Sequence, residues 1–430
     1  MDGRSTDSTS FSSKRAMKSA QVRSHLAVTV LSVLSLSAVV SNHSLNDWPQ
    51  WRGVNRDGKS VERGLLQDWP RGGPKLAWRV SGAGEGYSSF SVVGGKLYTL
   101  GARGGSEYVM AFDEATGKKL WEVAHGSRFS NDRGDGPRGT PTIDGGQLYA
   151  YGASGDLAAL DAASGKVLWK INVLKQFRGN NITWGLSESP LVLRDRVIVN
   201  AGGPGASIVA VNKKDGSVLW RSQGDQAGYS SGILQEVGGI PQGVFFTGQR
   251  AIGIDTRDGR LLWSYDRVSN TTANIATPIA RGNRVFLSSD YGTGAALLEL
   301  TPNGNAITAK EVYFTREMRN HHASSVLIGD HLYGFSSAIL TAMKFDTGEV
   351  AWRDRSVGKG SVIFADDRLY LFSETGVVGL AEANPAGYRE HGRFQLQTGS
   401  LPTWSHPVVA NGKFFLRDQD TIYAYDVRAR

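Results

Sequence analysis

Five stretches of the chain are variants of one phrase: AFDEATGKKLW (Ala111 to Trp121), ALDAASGKVLW (Ala159 to Trp169), AVNKKDGSVLW (Ala210 to Trp220), GIDTRDGRLLW (Gly253 to Trp263) and AMKFDTGEVAW (Ala342 to Trp352). Each is an apolar run, a polar turn, and a glycine four residues before a closing tryptophan. The tryptophans are spaced by 48, 51, 43 and 89 residues, and the long gap holds a degenerate copy, Leu298 to Val312, that keeps Asn303-Gly304 without the tryptophan. A second degenerate copy runs from Gly379 to Phe394, and Trp78 closes an earlier unit. A fixed period of this length means that one supersecondary unit is stacked repeatedly.

Upstream of the units lie alternating apolar runs around polar or glycine turns, such as Thr140 to Ala153, Ser189 to Gly203, Thr277 to Ser289 and His406 to Asp418. These read as hairpins. Hairpin plus repeat gives four strands in about 44 residues, the size of a propeller blade. The 54 glycines among 430 residues support a fold built on tight turns. The 356 residues from Lys75 to Arg430 divide into eight such units. The last unit lacks a fourth strand and KLAWRV (Lys75 to Val80) is a fourth strand without its first three, so the two are expected to join. The expectation is an all-β, eight-bladed β-propeller of four-stranded antiparallel blades, its ring closed by the N-terminal strand on the last blade, over residues 75–430. Ring closure removes exposed sheet edges, and the tryptophans are expected to cover the seams between blades.

Basic residues up to Arg23 precede the uncharged stretch Leu26 to Val40. This reads as a signal peptide over residues 1–41 with cleavage before Asn42, translation starting at Met17 and residues 42–74 forming a leader; an uncleaved N-terminal anchor is the alternative. The chain is therefore expected in a periplasm or extracellular space, without a membrane span in its mature form. With 0 cysteines it is not a lipoprotein and holds no disulfide, thiolate metal site or covalent haem. The net charge of +8 is dispersed rather than clustered, so no nucleic-acid partner is expected.

The D-x-x-[TS]-G-x-x-x-W unit resembles the pyrroloquinoline-quinone (PQQ) repeat family of β-propellers, and DWPQWRGVNRDGKS (Asp47 to Ser60) is similar to the start of exported BamB-like members. The resemblance implies one of two roles. Quinoprotein alcohol dehydrogenases hold PQQ and calcium in the ring centre, whereas BamB is a non-enzymatic outer-membrane assembly factor. The chain departs from both: it has no cysteine pair to lie over a quinone, no C-x-x-C-H haem motif and no lipid-bearing cysteine.

Two connections between units are long, Glu122 to Gly139 and Lys170 to Ser187, and long polar loops on a rigid scaffold are where function is placed. They offer Arg128, Arg133, Asp135, Arg138, Asn180, Asn181, Trp184 and, just beyond, Glu188; other units add Tyr87, Tyr229, His321, His322, Trp404 and His406. A flat anionic quinone would need an aromatic platform (Trp184 or Trp404), cationic partners (Arg133, Arg138), oxygen ligands for calcium (Asn181, Glu188) and a carboxylate base (Asp135). The same residues read more simply one by one: Arg133 and Asp135 as a solvated turn, Trp184 as a packing anchor. On a strand, His321 and His322 would point to opposite faces and could hold a common metal only with a bend. Ser189 lacks a nucleophile elbow.

The expectation is thus a non-catalytic, monomeric BamB-like binding or scaffold module of the cell envelope, without cofactor, whose partner is an envelope protein or peptide. Its loop face should be flat or apolar and its channel filled by side chains. The alternative is a PQQ- and calcium-dependent dehydrogenase acting on an alcohol or polymer, with converging oxygen ligands in a deep central pocket. A saccharide- or peptide-binding module is a third reading.

Overall fold

The middle strands of each repeat are apolar on both faces, and the reason is visible in the computed structural model, which describes residues 46–429. The expected signal peptide, its cleavage before Asn42 and the Met17 start lie outside the described residues. Eight four-stranded antiparallel sheets form the blades of a propeller. In the third blade, Val197–Ala201 and Ile208–Val211 are almost wholly buried because neighbouring blades cover both faces. The outer strand Val218–Ser222 keeps an exposed, exposed, buried alternation, since its rim side faces solvent.

The ring closes as expected. Lys75–Ser81 pairs antiparallel with Thr421–Asp426, with Lys75 opposite Asp426 and Ser81 opposite Thr421, completing the blade that begins at Val408. Among the described residues there is one short α-helix, Val173–Phe177, capped by the Asn172 side chain on the Lys175 amide at 3.0 Å. No helix of the described residues is long and apolar enough to cross a membrane.

The repeat phrase works as a joint between blades. Trp169 of the second blade donates its indole N–H to the Lys213 carbonyl of the third at 2.7 Å, and its ring lies over Gly216. A Cβ on Gly216 would stand 2.8 Å from that ring, and its φ of +73° is one that glycine adopts without strain. Trp78 over Gly117 and Trp220 over Gly259 repeat the joint, with their indoles on the Glu114 and Thr256 carbonyls at 3.0 and 3.2 Å, while Trp121 over Gly165 repeats the packing alone. In the degenerate fifth blade Tyr313 takes the tryptophan's place over Gly348, its hydroxyl on the Phe345 carbonyl at 2.8 Å. Trp263 departs from the pattern and bonds Gln242 of its own blade at 2.7 Å.

The leader that precedes the ring crosses its axis and touches every blade. Trp48 bridges Val92, and the Pro49 carbonyl accepts from the Ile143 amide at 2.8 Å. The Trp51 indole donates to Thr277 at 2.9 Å. Arg52 reaches the carbonyls of Ser324 and Ser325, while Arg56 reaches those of Ser189, Pro190 and Gly232. Farther on, Ser60 pairs with Phe364, Glu62 accepts the Gly412 amide at 2.7 Å, and Leu66 donates to the Val427 carbonyl at 2.7 Å. Arg52 and Arg56 are 2 % and 4 % exposed and form no ion pair among the described residues; inward-facing carbonyls solvate them instead. Burial lowers both guanidinium pKa values to about 10, which leaves them charged at neutral pH.

Candidate functional site

The connections entering the inner strands converge above the leader and enclose a cavity of about 500 Å³. Trp51 of the leader lines it, edge-on to His406 with ring centroids 4.4 Å apart. Two aromatic pairs form opposed walls: Tyr87 against Trp404 at 5.2 Å and Trp184 against Tyr229 at 5.7 Å. Each is fixed by a polar tip. Tyr87 donates to the Arg133 carbonyl at 2.5 Å, Trp404 to Glu374 at 3.0 Å, and the Tyr229 hydroxyl accepts from the Trp184 amide at 3.3 Å. The wall is therefore made of rigid rings held at their edges.

Three cations line the same space. Arg138 stacks over Tyr87 and Phe129, 5.5 and 5.0 Å from their centroids, and donates to the backbone carbonyls of Gly134 and Gly136. Arg133 stands on the rim and is mostly exposed; Lys359 lies 3.4 Å from Glu374. No Asp or Glu is among the lining residues.

Three histidines complete the wall. His321 contacts the Tyr291 hydroxyl at 3.0 Å, His322 lies 6.0 Å from the Trp404 ring, and His406 faces Trp51. Both ring nitrogens of His322 and Nδ1 of His406 are buried without a partner. Burial holds the His322 pKa well below the ordinary value and lowers that of His406 to about 3, so both rings are neutral. His321 and His322 lie in a bent connection, not a strand, which is the exception the expectation allowed, and both line the cavity. No cluster of three or more potential metal-ligating side chains occurs among the described residues.

The residues singled out in the sequence separate into three groups. Arg133, Arg138, Trp184, Tyr229, His322, Trp404 and His406 line the cavity, as do Tyr87 and His321. Asn180 and Asn181 line an adjoining hollow of about 170 Å³ that shares Tyr229 and Thr272 with it. Asp135 and Glu188 line neither. Asp135 staples its own loop, accepting from Arg128 at 2.5 Å and the Asn131 amide at 2.8 Å. Glu188 is 1 % exposed, holds the Asn200 amide at 2.5 Å, and burial raises its pKa to about 8. Sequence reasoning missed Trp51, Tyr291 and Lys359. The DWPQWRG phrase was the available signal for Trp51, but its place before the first strand hid its position on the axis.

The loop face is concave rather than flat, and its lining is largely aromatic with cations among the rings. The leader crosses the channel between this cavity and a second hollow of about 420 Å³.

The family model described as outer membrane protein assembly factor BamB matches residues 105–354. No curated protein matches the chain by sequence. Among solved structures, BamB from Moraxella catarrhalis aligns with a TM-score of 0.61 at 14 % identity over 82 % of this chain and 99 % of its own. Quinohemoprotein alcohol dehydrogenase from Comamonas testosteroni aligns with a TM-score of 0.62 at 14 % identity, over 89 % and 81 %. Saccharomyces cerevisiae Sqt1 aligns with a TM-score of 0.55 at 13 % identity, over 84 % and 100 %. These identities establish a shared fold.

The cavity residues do not fit a PQQ–calcium centre. The rings and cations would suit a flat anion, but a hard cation takes six to eight oxygen ligands and the chemistry needs a base. The two carboxylates expected to serve, Asp135 and Glu188, are engaged elsewhere, the charged lining groups are Arg133, Arg138 and Lys359, and the adjacent Glu374 is itself held by Trp404 and Lys359.

Proposed function

Since the chain belongs to the family of the outer membrane protein assembly factor BamB, we propose that it is an exported, non-catalytic binding protein of the cell envelope that receives a partner in its central cavity. The observation that carries this reading is the composition of that cavity: aromatic walls, three cations, unpartnered histidine nitrogens and no carboxylate among the lining residues. Such a lining holds an acceptor-rich ligand by charge-assisted hydrogen bonds and ring contact. It supplies no acid–base carboxylate pair and no oxygen cage for a hard cation. The rigidity of eight joined blades suits recognition, because a preorganised wall lowers the ordering cost of binding.

The dehydrogenase reading gives a sharp test. The purified chain is incubated with PQQ and Ca²⁺ and assayed for dye reduction with a panel of alcohols. The expected result is no turnover above the protein-free control. Stoichiometric PQQ uptake with alcohol-dependent dye reduction would overturn the non-catalytic reading.

A further inference from the structure

Away from the central cavity, in the seam between the first and second blades, lies a pocket of about 400 Å³ that shares no lining residue with it. We propose that this pocket binds a carboxylated saccharide, whose hydroxyls meet a bare imidazole nitrogen and a set of serine hydroxyls while its carboxylate meets the lysines.

The pocket is built around His125. Where Ser106–Asp113 pairs with Lys119–Ser127, Glu107 stands opposite Gly126 and Tyr108 opposite Ala124, so His125 is the extra residue of a bulge. A bulge re-aims a side chain, and this imidazole reaches the second blade while only 3 % exposed. Its Nε2 lies 2.9 Å from the Asp156 carbonyl oxygen. A carbonyl only accepts, so Nε2 carries the proton. Burial lowers the ring's pKa to about 4, so the imidazole is neutral at pH 7 and Nδ1 keeps its lone pair. Nδ1 has no partner among the described residues and opens on the pocket, where it calls for a donor from the ligand.

The rest of the lining says which donor. The hydroxyls of Ser106, Ser127 and Ser154 have no hydrogen-bond partner among the described residues, and each both donates and accepts, as a sugar hydroxyl does. Asn172 makes the rim rigid, accepting the Lys175 amide and donating to the Ser154 carbonyl, both at 3.0 Å. Apart from His125 no aromatic ring lines the pocket, so a flat apolar ligand has nothing to stack on. Lys170 lies 3.3 Å from Asp156, and Lys175 forms no ion pair among the described residues. Two cations against one carboxylate leave a single positive charge, which one ligand carboxylate neutralises. A phosphate monoester, at about −1.5 to −2, exceeds it.

The test is calorimetric titration of the purified chain with trigalacturonate, with its methyl ester, which keeps the hydroxyls without the charge, and with tricarballylate, which keeps the charge without the hydroxyls. The expected result is that trigalacturonate binds at least tenfold more tightly than either. Its affinity should fall at least fivefold in Lys175→Met and in Ser127→Ala, both exposed positions, each checked for an unchanged melting temperature. Equal binding of the ester would overturn the proposal, and so would equal binding of tricarballylate, which would make the pocket a plain anion site. Absence of binding, or wild-type affinity in both variants, would overturn it as well. None of these outcomes bears on the central cavity.

Discussion

Glu188 shows how a residue's chemistry follows from its surroundings rather than its type. It sits in the sequence beside a long polar loop, where a carboxylate reads as a ligand or base. Yet it is buried, with Oε2 on the Asn200 amide and Oε1 unpartnered, and burial raises its pKa to about 8. Glu107 is its counterpart near the first long loop: burial raises its pKa to about 7 and one oxygen holds the Ala153 amide. A carboxyl whose folded pKa is raised contributes stability that is complete below pH 4.5 and is lost as pH rises through 7 to 8. Above pH 6.5, where the buried histidines no longer add a slope, thermal melts should therefore lose stability up to pH 8.5, and Glu188→Gln should remove on the order of 2 kcal/mol of that loss. A variant with the wild-type slope would contradict the buried, proton-holding role. His322 and His406 act in the opposite sense: their lowered pKa values contribute stability above pH 6.5 that is lost as pH falls toward 3. Trp184, Trp404 and Arg138 could be read from the sequence because the repeat register leaves them outside the strands. Burial of Glu188 could not, since it depends on blades far apart in the chain.

At the scale of elements, the repeat's glycine and tryptophan are one device shared by two blades. This explains why the phrase survives with Tyr313 in place of tryptophan and why its glycines keep φ near +75°. Gly216 and Gly146 separate the two demands on such a glycine. Both have positive φ, but a Cβ on Gly146 meets nothing within 4 Å whereas one on Gly216 meets the Trp169 ring. Gly146→Ala should cost about 1 kcal/mol from backbone strain, and Gly216→Ala about 1 to 3 kcal/mol more from the clash, measured by denaturant unfolding. The leader is the second element with a structural task. Arg52→Met should leave the Ser324 and Ser325 carbonyls unsolvated and lower stability by about 3 kcal/mol or more. The segment's composition held its opening motif but not its path, because no hydrophobic periodicity marks a strap that bonds through two arginines.

For the molecule as a whole, the ring was legible because the period and the number of copies fix eight blades, and the missing strand at one end matches the surplus strand at the other. The central cavity was only partly legible. The nine wall residues named from the sequence lie in connections that the repeat leaves as loops, but Trp51 comes from the leader, and only closure of the ring brings the two together. The leader also divides the axis into two ends. Above it lies the aromatic cavity, and on its other side a hollow of about 420 Å³ runs beside Ile233, Leu234 and Val54. A partner received in the cavity must meet the ring at the cavity end. Site-specific photo-crosslinking in intact cells tests this most directly, with a benzophenone-bearing residue placed either at Arg133, on the cavity rim, or at Leu234, on the opposite side of the leader. The predicted result is a discrete protein adduct from the Arg133 position, diminished by Lys359→Met, and none from Leu234. Adducts from Leu234 alone, or from neither position, would contradict it.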